Sequence, residues 1–376
     1  MALASASPWE LDAAVRRAAA RVLGADPAAL PPADPRRDRD ALAFTSAIAL
    51  RAGEQAGQDT ESLALGIADR LRREDGIVDA SAGPGGRLLL TPDPRLFGPL
   101  LRDARDGAVF LASGRRPAPP LPGLTGLADL PTLHSARAAA RDDARRRLGR
   151  PEGTAGGGED GGAREGEGRA GAGWREPLVD RPRLDTEPGR LIAAVGEASA
   201  RFAFCRSLSE HPRPGELTGP RLPALPTADD PGAWAHLTAD NPAFAVRYAH
   251  AHAVAAQRWQ AGEEGEGREG EGDAGRDAAG RALHLPGEPD PDLTGLLGAL
   301  YDGPGTAAAA ARRGRPHMLV RYLEGLATAY HVWAGPRDGA GAAGERAAHR
   351  QDLRAAVSGV LGAGLLLIGV TAPTRL

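Results

Sequence analysis

The stretch VLGAGLLLIGVTAPTRL at residues 360–376 decides how the C-terminal half of the chain folds. No charged residue lies between Arg354 and Arg375, and by length alone this uncharged segment could span a bilayer. Four glycines and a serine interrupt it, however, and only residues 361–370 are strongly apolar. This pattern favours a buried core helix over a membrane anchor.

Working outward from this segment, the preceding sequence has the apolar period of amphipathic helices. Asn241 followed by Pro242 has the form of a helix N-cap with proline at the first helical position. The predicted helices cover residues 191–208, 241–260, 293–301, 316–333 and 345–368. Together they predict an all-α bundle over residues 186–376.

The N-terminal segment has a mixed pattern. Residues 9–23, 42–51 and 62–73 have helical periodicity, whereas residues 76–80 and 87–91 read as short strands around the turn GPGG. The sequence therefore predicts a small α+β domain over residues 1–112.

Two tracts lack the apolar residues needed to form a core. Residues 113–185 form a low-complexity linker with one charged helix at 135–148. Its Arg145–Arg147 run could contact a phosphate backbone, but Asp142 and Asp143 precede it, so a solvated charged helix is favoured. Residues 151–173 and an insert at 261–281 are rich in Gly, Glu and Arg, and we predict that both are disordered. The predicted architecture is thus multidomain, with a disordered linker between the α+β domain and the bundle.

Composition excludes several classes of function. The net charge is -3, which does not indicate a general polyanion binder. The sequence contains no lysine, so chemistry that needs a lysine amine is excluded. Cys205 is the single cysteine, which excludes an intrachain disulfide or a cysteine-based zinc site and fits a cytoplasmic protein. The first residues do not have the pattern of a signal peptide.

Four blocks of the C-terminal half resemble the DALR anticodon-binding domain of arginyl-tRNA synthetases. The final stretch resembles that family's pattern V-L-x-x-G-L-x-L-L-G-I-x-x-P, RYLEGLA at residues 321–327 resembles the preceding helix, and NPAFAVRYAHAH at residues 241–252 resembles N-P-x-x-Y-V-Q-Y-A-H-A-R. A short block upstream of these contains Arg201. The resemblance implies structural roles for Arg201, Asn241, Pro242, Tyr248, Gly364, Gly369 and Pro373.

The N-terminal domain resembles the part of these synthetases that contacts the tRNA elbow. In the family the turn reads G-P-G-F-I-N, and its Phe and Asn contribute to D-loop recognition. In this chain Gly86 and Leu88 stand at those two positions. The stacking ring and the amide are both absent, so we expect this contact to be lost.

The catalytic motifs of the synthetases have no counterpart in this sequence. There is no H-x-G-H pair among the histidines, and a K-M-S-K-S-type element cannot exist without lysine. Residues 113–190 are too short for a nucleotide-binding domain. The resemblance therefore implies tRNA binding without aminoacylation, and we predict no catalytic residue and no cofactor.

Candidate RNA-binding residues lie on the last two helices, because anticodon bases are read on aromatic or arginine planes. They are Arg321, Tyr322, Tyr330, Trp333, Arg350 and Arg354. Core packing is the alternative for the rings, and a solvated face is the alternative for the arginines. His250 and His252 are two residues apart and point to different faces of a helix, so we predict no metal site.

The sequence thus favours a cytoplasmic, degenerate relative of arginyl-tRNA synthetase that binds tRNA, most simply arginine tRNA, and neither DNA nor a membrane. A scaffold that has lost RNA binding and instead holds a protein partner is the alternative. Retained arginine–tRNA ligase activity is the third reading.

Overall fold

The computed structural model describes residues 3–38, 42–114, 126–149, 183–266, 290–335 and 345–375. Within these residues it is multidomain, as the sequence predicted, with a small N-terminal α+β part and a helical C-terminal part that also contains one short β-ribbon. The disorder predicted for residues 151–173 and for most of the insert at 261–281 concerns positions outside this set.

The N-terminal domain packs helices against one face of an antiparallel sheet. The strands are β1 (Arg36–Arg37), β2 (Phe44–Ser46), β3 (Ile77–Gly83) and β4 (Arg87–Pro92), in the order β1-β2-β4-β3. The helices are α1 (Pro8–Leu23), α2 (Ile48–Ala56), α3 (Thr60–Leu71), α4 (Phe97–Arg105) and α5 (Gly107–Leu111). Leu11, Ile67 and Leu88 are fully buried between the helices and the sheet.

The helix predicted at residues 42–51 was wrong in its first part and right from residue 48. Residues 44–46 form β2, in which Phe44 pairs with Leu90, and α2 begins only at Ile48. The hydroxyl of Ser46 donates a hydrogen bond to the carbonyl of Ala33 at 2.6 Å and so fixes the strand end. These pairings join distant parts of the chain, and they override a local helical period.

Helix α6 (Leu133–Leu148) begins at Thr132, whose side chain forms a capping box with Ser135. Its charged sequence predicted a solvated helix, yet Arg137 and Arg141 are each only 1% exposed. Arg141 donates to the carbonyl of Ser207 at 2.8 Å, just beyond the end of α8 (Glu197–Arg206). The expectation of a solvated helix was therefore wrong for this face, because buried guanidinium groups satisfy carbonyls at the end of α8.

The Arg141–Glu210 pair makes acid stability sensitive to one carboxylate. Burial acts to raise the pKa of Glu210, but the hydrogen bond from Arg141 and the charges of Arg141, Arg145 and Arg137 outweigh burial and lower it. A carboxyl with a lowered folded pKa adds stability above its unfolded pKa of about 4.3, and that stability is lost as the pH falls through the folded pKa. We expect the melting temperature of Glu210→Gln to fall less between pH 6 and pH 3 than that of the unmodified protein. Glu54→Gln, at an exposed position on α2, is the control and should follow the unmodified protein. Equal pH dependence in all three would contradict this prediction.

The C-terminal part contains α7 (Glu187–Val195), α8, α9 (Pro242–Glu266), α10 (Pro291–Arg313), α11 (Pro316–Ala334) and α12 (Glu345–Leu367). A ribbon of β5 (Leu217–Gly219) and β6 (Leu222–Pro223) lies between α8 and α9. The single helix predicted at residues 191–208 was wrong. Gly196 breaks it with φ 77° and ψ 151°, a conformation that glycine adopts at little cost.

Helix α10 extends beyond the predicted segment at 293–301 and continues to Arg313 with Pro304 inside it. Pro304, Ala307 and Ala310 are buried, so packing offsets the cost of the interior proline. The last helix, α12, buries Val360, Leu361 and Leu365 completely, which confirms the predicted core helix. In the part of the chain that the structure describes, no helix has the length and apolarity needed to cross a bilayer.

The N-terminal domain and the bundle share one hydrophobic core. Helix α12 crosses the end of α4 and the start of α5 at glycines. A Cβ at Gly359 would lie 2.6 Å from the carbonyl oxygen of Ala104, and a Cβ at Gly107 would overlap the carbonyl oxygen of Gly359. At a second contact, the hydroxyl of Tyr301 on α10 donates to the carbonyl of Pro35 at 3.2 Å. Backbone-to-backbone packing of this kind leaves no room for a side chain at the crossing.

Candidate nucleic-acid interface

Three of the sequence-predicted RNA-binding residues meet where the end of α11 approaches α9 and α12. The hydroxyl of Tyr330 lies 2.8 Å from Nδ1 of His252 on α9. The ring of Trp333 is 6.0 Å from that of Tyr330. The guanidinium of Arg354 on α12 acts electrostatically on both Tyr330 and His252.

Around this point the rings form a continuous series, which we call the aromatic row. It consists of Phe244, Tyr248 and His252 on α9 and Tyr330, His331 and Trp333 on α11. The three α9 residues are spaced four apart, so they share one face of the helix. Phe244 and Tyr248 stack at 5.8 Å and 16°, and Tyr248 stacks on His331 at 5.5 Å and 22°.

Tyr248 is the most exposed ring of the aromatic row, and the other rings are buried or partly buried. Tyr248 is 44% exposed, whereas Tyr330 and Trp333 are buried. Trp259 lies three turns beyond Tyr248 on the same face of α9, about 16 Å along the axis, and is 74% exposed. Tyr248 and Trp259 are therefore the two most exposed aromatic side chains on this face of α9.

Sequence reasoning assigned Tyr248 a structural role and did not consider Trp259. The spacing of aromatic residues at positions 244, 248, 252 and 259 was available in the sequence, and it places all four on one face of a helix. That face was a signal that could have identified both rings.

The histidines of the aromatic row are neutral near pH 7. Burial lowers the pKa of His252, and repulsion from the protonated form of His331 and from Arg354 lowers it further. Burial also lowers the pKa of His331, against a hydrogen bond with the backbone of Ala245. Burial raises the pKa of Tyr330 to about 12, although Arg354 opposes this. These rings can therefore stack on bases and form hydrogen bonds without carrying charge.

Cations flank the aromatic row. Arg350 is exposed one turn before Arg354 on α12, and Arg258 is exposed on α9 beside Trp259. Nε of Arg354 is buried and has no hydrogen-bond partner among the described residues. Arginine planes and charges next to exposed rings suit a ligand with flat bases and a phosphate backbone.

The other two candidates on α11 lie elsewhere. Arg321, at the opposite end of the helix, donates to the carbonyl of Thr218 at 3.0 Å and to Glu324 at 3.3 Å. The hydroxyl of Tyr322 is buried against Gly303 of α10, and burial raises its pKa. Neither residue contacts the aromatic row.

Two residues of the predicted structural set stabilise the start of α9 and the packing of α12 on α11. Oδ1 of Asn241 accepts a hydrogen bond from the amide of Ala243 at 3.0 Å, and its Nδ2 donates to the carbonyl of Trp234 at 2.8 Å, so Asn241 caps α9 ahead of Pro242. Gly364 lets α12 approach α11, since a Cβ there would overlap the side chain of Leu323.

The remaining members of that set position the C-terminus. Arg201 is 3% exposed and lies 3.5 Å from Asp143 of α6. Gly369, with φ 73°, leaves room for both of these side chains. The carbonyl of Pro373 accepts a hydrogen bond from Nδ1 of His250 at 2.8 Å. Among the described residues, no group of three or more His, Cys, Asp and Glu side chains could hold a metal ion.

At positions 86 and 88 the N-terminal turn has neither an aromatic ring nor a side-chain amide that could contact RNA. Gly86 has φ 72°, and a Cβ there would overlap the side chain of Thr60. Leu88 is fully buried and pairs with Ser46 of β2. A larger side chain at position 86 would therefore require the turn to change, and position 88 points into the core.

Comparisons with known proteins agree on one family. The DALR anticodon binding domain matches residues 247–376. An arginine–tRNA ligase of Clavibacter sepedonicus is 33% identical over 193 residues, covering 50% of this chain and 29% of that enzyme. The ligase of Micrococcus luteus is 36% identical over 209 residues, covering 53% of this chain and 34% of that enzyme.

A 90-residue segment is 43% identical to the arginine–tRNA ligase of Tropheryma whipplei (strain TW08/27), covering 22% of this chain and 16% of that enzyme. The solved Thermus thermophilus arginyl-tRNA synthetase aligns at 18% identity with a TM-score of 0.32, covering 64% of this chain and 31% of that chain. The chain therefore spans about a third or less of the length of the curated relatives it matches.

Proposed function

We propose that this relative of the arginyl-tRNA synthetases, with its DALR anticodon-binding domain, binds the anticodon arm of arginine tRNA in the cytoplasm and does not aminoacylate it. The observation that carries the proposal is the aromatic row, in which exposed Tyr248 is backed by a stacked, uncharged His331. A base that leaves the loop stack can continue this stack of rings.

The surroundings of the aromatic row support the same ligand. Exposed Arg350 and the partly buried Arg354 carry charge toward its α12 side, and Trp259 extends the stacking surface along α9. RNA loops are bound through unstacked bases on rings together with cations on the backbone. Both elements are present on adjacent helices.

We propose that the chain does not aminoacylate tRNA because its sequence lacks the residues that this reaction uses. Class I synthetases stabilise the adenylate-forming transition state with motifs that include lysine, and this sequence has neither lysine nor an H-x-G-H pair. We expect arginine-dependent ATP–pyrophosphate exchange to remain at background. Exchange above background that depends on both arginine and this protein would contradict that part of the proposal.

The binding proposal is tested by titrating the purified chain with arginine tRNA at fixed salt. Two matched RNAs serve as controls: the same tRNA with a changed anticodon, and an unrelated hairpin of equal length. We expect the unchanged arginine tRNA to bind at least about tenfold more tightly than either control, a margin of about 1.4 kcal/mol. Equal affinity for all three at equal salt would remove the proposal.

The closed N-terminal turn at Gly86 and the buried Leu88 favour one alternative, a scaffold that binds a protein partner and no RNA. No detectable binding of any of the three RNAs, with recovery of a partner from nuclease-treated lysate, would favour that function.

A further inference from the structure

We propose that a second surface, at the corner of α6 and the α10–α11 turn, binds the phosphate backbone of the RNA stem adjacent to the loop. The inference rests on the proposed function and adds to it a contact with the phosphate backbone that does not depend on the base sequence. The surface, which we call the basic corner, consists of Arg145, Arg146, Arg312, Arg313, Arg315 and Arg321.

Two observations bring these residues together. Nε of Arg145, in the last turn of α6, donates to the carbonyl of Gly314 at 3.0 Å, which joins α6 to the α10–α11 turn. Burial lowers the pKa of His317 in the first turn of α11, and the charges of Arg141, Arg315 and Arg321 lower it further, whereas Glu210 opposes them. Positive charge from three elements therefore converges on this corner.

The carboxylates near the basic corner are already engaged. Glu210 pairs with Arg141 and Arg145, and Glu324 pairs with Arg206 and Arg321. The carboxylate of Asp143 is 2% exposed and engages arginines of α6 and α8. Asp143 faces inward, whereas Glu210 and Asp142, which pairs with Arg145, are exposed on the α6 side. The outward positive charge of the corner therefore comes from Arg312, Arg313 and Arg315.

Three cations remain directed outward. Arg312, Arg313 and Arg315 are exposed, and no carboxylate of the described residues forms a salt bridge with them. Arginines that extend from a rigid turn into solvent can replace counterions on a phosphate backbone without breaking an existing ion pair.

An open face of α11 connects the basic corner to the aromatic row. Arg321, Gly325, Thr328 and Val332 are exposed and follow the spacing i, i+4, i+7 and i+11, which places them on one face. A Cβ at Gly325 would meet nothing within 4 Å. The face runs about 16 Å from Arg321 to Val332, the neighbour of His331.

This arrangement fits a stem-loop lying along α11, with bases at the aromatic row and stem phosphates at the basic corner. Helix α6 lies outside the residues that match the DALR domain, residues 247–376. The basic corner is therefore built from the matched domain together with a helix that this chain supplies from its linker region.

The test uses the triple variant Arg312→Gln/Arg313→Gln/Arg315→Gln in the full chain. A second triple variant, Arg70→Gln/Arg73→Gln/Arg87→Gln, removes three exposed cations of the N-terminal domain and is the matched control. Binding of an arginine-tRNA anticodon hairpin and of its isolated loop oligonucleotide is measured over a range of salt concentrations. Thermal melting verifies that both variants are folded.

We expect the first triple variant to lower the slope of log K against log salt by about 2 and to weaken hairpin binding about 10- to 100-fold near 0.1 M salt. Preference among loop sequences should stay unchanged, because phosphate contacts carry no base information. Binding of the isolated loop should change by less than about threefold, since it lacks the stem. The control variant should bind both RNAs as the unmodified protein does.

The outcomes separate the two proposals. An unchanged slope and affinity in the first triple variant, while Tyr248→Ala still weakens binding, would overturn the basic corner alone. An equal loss for hairpin and isolated loop would also overturn it, because the stem would then make no contact there. Failure of the unmodified protein to prefer the hairpin over unrelated RNA would overturn the proposed function and this inference together.

Discussion

Replacing Tyr248 with alanine is expected to lower the affinity for the anticodon hairpin about 10- to 100-fold. A base stacked on an aromatic side chain contributes about 1–3 kcal/mol to binding, and Tyr248 is the ring of the aromatic row that is most open to solvent. The variant also removes the partner on which His331 stacks at 5.5 Å, so the uncharged surface behind the base loses its order. Fluorescence anisotropy with a labelled hairpin measures the change at fixed salt.

The phenylalanine variant separates stacking from the phenol hydroxyl. Tyr248→Phe keeps the ring plane and should retain affinity within about threefold, a difference of less than about 0.7 kcal/mol. Because the side chain is 44% exposed, Tyr248→Ala should melt close to the unmodified protein. Unchanged hairpin affinity in a folded Tyr248→Ala protein would show that the aromatic row does not stack on RNA.

The second large effect is expected at Gly359, where α12 crosses α4. Gly359→Ala should lower the free energy of unfolding by about 1–3 kcal/mol, because an added Cβ would lie 2.6 Å from the carbonyl oxygen of Ala104 and closer still to that of Arg105. Backbone atoms cannot rotate away from such a contact, so the two helices must separate. Chemical denaturation followed by circular dichroism measures the loss.

Gly325→Ala is the matched control for this prediction. Position 325 lies in the interior of α11, and a Cβ there would meet nothing. The same substitution should therefore raise the free energy of unfolding by about 0.5–1 kcal/mol, since alanine favours the helix over glycine. If both variants gained stability alike, the close crossing of α4 and α12 would be contradicted.

The sequence predicted the helices whose ends carry local signals. Asn241 and Pro242 marked the start of α9, and the apolar periods of α11 and α12 located those helices to within a residue or two. Such signals act over a few residues, so a linear sequence contains them. The same holds for β3 and β4, which flank a glycine-rich turn.

The sequence-based predictions failed where contacts between distant parts of the chain decide the conformation. Phe44 became part of a strand because it pairs with Leu90, and the helix at 191–208 broke at Gly196. The burial of Arg137 and Arg141 depends on carbonyls roughly 70 residues further along the chain. No local period encodes these partners.

For the candidate site, residue type predicted the chemistry but not the grouping. Tyr322 and Tyr330 lie on the same helix, yet one faces Gly303 of α10 and the other His252 of α9. The choice depends on which helix packs against each turn of α11. For Tyr248, the sequence motif indicated a structural role, whereas the fold exposes its ring to solvent.

The crossing of α4 and α12 also limits how early the N-terminal domain can finish folding during synthesis. Arg105 pairs with Asp352, 247 residues further along the chain, so the surface of α4 and α5 that packs on α12 has no native cover until α12 has been synthesised. Contacts of such large sequence separation slow folding and leave apolar surface open to aggregation in the meantime. A nascent chain that stops short of α12 would therefore leave this apolar surface exposed to solvent.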